Sequence, residues 1–185
     1  LTIAEELGHV RMQASVRANL GFLCAHAGRW DEGVEWFTSA RDAFLRSGDS
    51  VGAAFEATNL GEMVVKQRRL DEAQPVLNDA LRVMRASDWE EGIAMIEIQL
   101  ARIQIERGAY AEADTMLERV AADFTRIGKP MYTLEATAVR STGLVAAGKP
   151  AAALELLDRA IATAGSNGAG PLRPILAWAK ASAHA

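Results

Sequence analysis

Apolar residues recur along this chain on a helical spacing that restarts every 40 positions. After Asp31, the residues Gly33, Phe37, Ala40 and Phe44 fall at i, i+4, i+7 and i+11, which is one stripe on a helix. The stripe returns as Ala73, Leu77, Ala80 and Met84, then as Ala113, Leu117, Val120 and Phe124, then as Ala153, Leu157, Ala160 and Ala164. Ahead of each copy lies a second apolar pattern, which in the first is Val10, Ala14, Ala18, Leu20, Gly21 and Cys24. The four copies align without a gap. Three columns stay small in nearly every copy: Gly33/Ala73/Ala113/Ala153, Ala40/Ala80/Val120/Ala160 and Gly21/Gly61/Ala101/Ser141. Small residues facing one another let two helices approach at the short end of the roughly 8–10 Å range, with Phe or Leu filling beside them.

Glycine supplies the punctuation. Gly28 stops the first helix, Trp30 is expected in the turn, and Asp31 and Glu32 place negative charge where the next helix dipole favours it. Gly8, Gly48, Gly128 and Gly168 share one column, with Asp88 filling it in the second copy. The spacing predicts helices over about 10–27 and 31–47, and again in each later copy. A period of roughly 20–50 residues marks a solenoid. The expected fold is all-α: a right-handed α-solenoid of four 40-residue helix-turn-helix repeats, 9–48, 49–88, 89–128 and 129–168, with partial flanking helices. Residues 1–8 read as the end of a preceding repeat, so the chain is expected to be a piece of a longer solenoid. Residues 169–185 read as one more helix, from Leu172 to His184, either a terminal or capping helix or the first helix of a fifth repeat. No linker divides 1–185 into two domains.

Composition narrows the classes. Half of the 185 residues are apolar but only 6% are aromatic, which suits helix packing better than sheets. A net charge of −4 argues against a dedicated nucleic-acid binder. No apolar run approaches the ~20 residues of a membrane-spanning helix. The single cysteine, Cys24, cannot form an intramolecular disulfide, so the expected location is cytoplasmic.

The Leu-Gly of the first helix, followed by Ala, an aromatic or Leu, and Ala in the second, resembles the tetratricopeptide repeat family over residues 9–168. Typical members have 34 residues per repeat; similar 40-residue versions occur in peptide-binding cell-polarity adaptors. They also occur in the C-terminal regions of bacterial transcription activators and adenylate cyclases. In the fourth repeat the likeness frays, with Arg140 in a Leu column and Pro150 in the column of Trp30 and Tyr110. The resemblance implies a concave inner wall lined by the first helix of each repeat.

On that wall the first helix presents Ser15, Asn19, Phe22 and His26 on one stripe; the second presents Phe55, Asn59, Glu62 and Lys66; the third presents Met95, Gln99, Arg102 and Glu106. In the fourth the stripe is Glu135, Val139, Thr142 and Ala146. Asn19, Asn59 and Gln99 form a ladder of amides able to hold the backbone of an extended peptide. In the resembling adaptors an Asn in this column does that work. Equally, the amides could bond to neighbouring helices or water. Glu62, Lys66, Arg102 and Glu106 alternate in sign and could neutralise one another. The carboxylate clamp of chaperone-binding members is absent, because its columns read Ala18, Phe22, Asn59, Met95 and Gln99.

Catalysis has no candidate. Cys24 and His26 lie about 200° apart around a helix and cannot act as a dyad. The one Gly-rich stretch, residues 165–171, lacks the Lys and preceding strand of a phosphate loop. No metal-ligand spacing occurs and no cofactor is implied. The expected function is a non-enzymatic interaction module that takes a protein or peptide of unknown identity in its concave groove. It is expected within a larger bacterial signalling or regulatory protein, with a covalently attached signalling domain. The alternative is a small-molecule sensor domain of a transcription activator or cyclase.

Overall fold

The computed structural model describes residues 9–168, together with 174, 177, 178, 181 and 182. The expected leading tail lies outside the described residues; of the expected closing helix, Pro174, Ala177, Trp178, Ala181 and Ser182 are described, and they are helical. Over residues 10–168, eight helices follow one another: α1 (Val10–His26), α2 (Trp30–Arg46), α3 (Ser50–Lys66), α4 (Leu70–Ala86), α5 (Glu90–Glu106), α6 (Tyr110–Arg126), α7 (Pro130–Ala146) and α8 (Pro150–Gly168). No strand occurs among the described residues. The architecture is an all-α repeat solenoid. It divides into two compact units, residues 1–99 and 100–185, and the division falls inside α5 rather than at a linker.

The first seven helices are each 17 residues long, and three residues separate one from the next. Each turn is closed in the same way. Gly28 N–H donates to the Ala25 carbonyl and Arg29 N–H to that of Cys24, the paired bonds of a Schellman motif. The pattern recurs at Gly48, Arg68, Asp88, Gly108, Gly128 and Gly148. All seven residues have positive φ, which is cheap for glycine but costs Arg68 (φ 61°) on the order of 1 kcal/mol. The shortness of the turn also corrects one expectation. Trp30 is the first residue of α2 rather than part of the turn, as are Leu70, Tyr110 and Pro150 in their helices.

Within the first unit, α1 packs on α2, α2 on α3, and α3 on α4. The small columns sit at these contacts: Gly21, Gly33, Ala40, Gly61, Ala73 and Ala80 are all buried. Each faces bulk. A methyl placed on Gly21 would lie 2.9 Å from the Phe37 ring, and one on Gly61 would lie 2.7 Å from Leu77 Cγ. Asp49 adds a polar tie. Its carboxylate accepts from Gly52 N–H at 2.8 Å, capping α3, and also pairs with Arg11 of α1. The Arg11 guanidinium and then the Gly52 N–H hold the Asp49 pKa below its ordinary value.

In the second unit, α6 packs on α7 and α7 on α8. The same columns are filled by Ala101, Ala113, Val120, Ser141 and Ala153, each at most 1% exposed, while Ala160 is half-buried. The Ser141 hydroxyl donates to the Thr137 carbonyl at 2.8 Å, which satisfies the one polar group in its column.

Candidate functional site

The stripe predicted on α1 is open. Ser15, Asn19 and His26 are exposed, and Phe22 is 39% exposed while its ring meets Phe37 edge-on at 5.1 Å. Ser15 Oγ donates to the Arg11 carbonyl, and His26 Nδ1 lies 2.8 Å from the Phe22 carbonyl oxygen. Asn19 thus stands between two self-satisfied polar side chains and an apolar ring.

The stripe on α3 is different. Asn59 is buried, 6% exposed, and its Nδ2 donates to Glu56 Oε2 at 3.2 Å. Phe55 is half-buried and stacks on Trp89 at 5.7 Å. Glu62 pairs with Lys66 at 2.7 Å, and the Lys66 ammonium also lies over the Trp30 ring at 5.4 Å. On α5, Met95 is half-buried and Gln99 is 4% exposed, with no hydrogen bond to its buried Oε1. An amide ladder open to solvent along its length is therefore not what these side chains form. Asn59 lies on α3, which is covered by α2 on one flank and α4 on the other.

The expected charge patch also divides. In the second unit Arg102 pairs with Glu135 at 3.2 Å, while Glu106 is exposed. Arg140, the residue that breaks the Leu column, is held between Asp114 (2.6 Å) and Glu118 (3.2 Å). These carboxylates lift its pKa above the ordinary guanidinium value even though burial opposes the charge.

Glu56 was not singled out by the sequence reading. Its column otherwise holds Val16, Ile96 and Ala136, and a carboxyl among apolar residues was the available signal. It is 4% exposed, and burial raises its pKa despite the bond from Asn59. The sign of the consequence follows. A carboxyl that holds its proton more tightly when folded supports the fold fully below its unfolded value of 4.5, and that support is lost as pH rises through the higher folded value. We therefore expect Glu56→Gln to stabilise the chain at pH 7.5, by on the order of 1 kcal/mol, and to give little gain at pH 4. Urea midpoints of both proteins at the two pH values check this; a destabilised variant at pH 7.5 would refute it.

Among the described residues no group of three or more His, Cys, Asp or Glu side chains is placed to hold a metal ion. Cys24 is buried and unbonded. No described helix is long and apolar enough to cross a membrane.

The family model for tetratricopeptide repeats matches residues 12–86. Among solved structures, the fold is similar to BtubC (BKLC) from P. vanneervenii, with a TM-score of 0.65 and 21% identity. That match covers 80% of this chain and 61% of the other, so this chain spans less than two thirds of that protein. It is also similar to the nearly identical TPR-like repeats of a Podosopora anserina kinesin light chain, with a TM-score of 0.72 and 18% identity, covering 95% of this chain and 89% of that one. A point variant of those repeats gives the same score and identity. At these identities the likeness establishes the fold. No curated protein sequence matches the chain. Repeats of this kind generally mediate protein–protein interaction and are typically non-catalytic scaffolds. Residues 12–86 thus match the tetratricopeptide repeat model, and the chain shares the fold of TPR-like repeat solenoids.

Proposed function

We propose that the chain is a non-enzymatic interaction module that holds an extended segment of a partner protein against the exposed stripe of α1. The observation that carries this reading is the exposure of Asn19 with Phe22 one turn away. The amide offers a donor and an acceptor to any backbone, and the ring offers an apolar anchor. Asn59 and Gln99 continue the column as interior residues, and Asn59 is engaged by Glu56. We place the module within a larger bacterial signalling or regulatory protein, one of the settings in which similar 40-residue repeats occur.

The test uses peptides selected by phage display on the folded chain. Asn19→Ala should weaken a selected peptide by about one net hydrogen bond, ~0.5–1.5 kcal/mol, and leave the melting curve unchanged. Phe22→Ala should weaken it further. Peptides that bind both variants as tightly as the parent would remove the α1 stripe from the site.

A further inference from the structure

The second unit holds a groove of about 420 Å³ lined by the end of α6, by α7 and by α8, with Leu134, Leu156 and Ala160 as its apolar part and Lys129, Arg159 and four threonines around them. The first unit holds a groove of about 400 Å³ at the equivalent place, 80 residues earlier, between α3 and α4. The repeat thus supplies its own control for what the scaffold requires. Position by position, Leu45, Ala53, Ala57 and Val83 in the first groove become Thr125, Thr133, Thr137 and Thr163 in the second. Those columns hold no threonine in the other repeats. Asp79 becomes Arg159. The first groove carries Arg41, paired with Asp42, and Asp79, paired with Arg82, whereas the described lining of the second carries Lys129 and Arg159 and no carboxylate.

An Arg159 guanidinium over an apolar floor, in a chain of net charge −4, selects for charge as well as shape. The threonines spend their donors on their own helices. Thr125, Thr137 and Thr163 bond to the Ala121, Thr133 and Arg159 carbonyls at 2.8, 2.8 and 2.9 Å. They bring only methyl groups and lone pairs to the wall, so a charged ligand group must be met by Arg159. Its Nε is bonded to the Glu155 carbonyl at 3.3 Å, and its terminal nitrogens remain for a carboxylate. A volume near 400 Å³ falls at the lower end of small-molecule sites.

We propose that this groove binds a small apolar carboxylate, its acid group on Arg159 and its apolar body across Leu134, Leu156 and Ala160. The site is separate from the α1 stripe, so failure of either leaves the other standing. The probe is octanoate, titrated below its micelle concentration into the full chain by NMR, with 1-octanol as the uncharged control. Octanoate should shift the amides of α7 and α8, and octanol should bind roughly tenfold more weakly. Arg159→Asp, which installs the residue that the scaffold already hosts at position 79, should reduce octanoate binding by a similar factor. Arg41→Ala in the other groove should leave it unchanged. Equal binding of octanol and octanoate, insensitivity to Arg159→Asp in a variant that melts like the parent, or no shift in α7 and α8 would each overturn the assignment.

Discussion

Replacing Phe37 by alanine is expected to cost ~3–5 kcal/mol, the largest single loss in the first unit. The ring is fully buried, and its place is set by what it faces. It lies over Gly21, which has no side chain to move into a void, and its edge meets Phe22 at 5.1 Å. Ala40 and Ala43, nearby on α2, are fully buried and too short to fill in. The cavity would therefore persist, and the cost of a large-to-small change grows with the cavity that remains. Urea unfolding of the variant gives the number. A loss below about 1.5 kcal/mol would mean that α1 and α2 can close over the gap, contrary to the tight fit at Gly21.

The opposite change is expected to be nearly as damaging. Gly61→Leu should destabilise by about 2–3 kcal/mol, because it forces atoms into a contact already at its limit. Even a single methyl at Gly61 would fall 2.7 Å from Leu77 Cγ and nearer still to Cδ2. Leu77 is fully buried and cannot swing into solvent. The diagnostic is a cycle with Leu77→Ala. If the two side chains compete for one space, the double variant should be less destabilised than the two single losses combined. Additive losses would place the damage elsewhere on α3.

Phe37 over Gly21 and Leu77 over Gly61 also show what the sequence made legible. An ungapped 40-residue period exposes its own columns, so the small positions, the helix spacing and the glycine stops could be read by comparing the chain with itself. The turn at Arg68 was harder, because a long basic side chain hides a left-handed residue that only its neighbours at 28, 48 and 108 betray. Solvent exposure was harder still. Asn19 and Asn59 share a column and a residue type, yet one is open and the other buried against Glu56. That difference comes from which helices lie on either flank, a property of packing rather than of the side chain. Charge partners were likewise unreadable. Arg102 meets Glu135, 33 positions away, and only the fold brings those two together.

The Schellman turns carry a mechanical consequence. Among the described residues, backbone hydrogen bonds outside the helices reach no further than from a turn to the helix it follows or precedes. Each helix satisfies its own main chain, so within each unit successive helices are held by the turn that links them and by packing, not by hydrogen bonds from one helix backbone to the next. A pull along the chain therefore meets no sheet ladder that must break all at once. The first response to force is for packed side chains to slide, a soft and reversible give, and rupture follows only when residues such as Phe37 and Leu77 leave their seats. The material is a spring whose stiffness is written in its small columns.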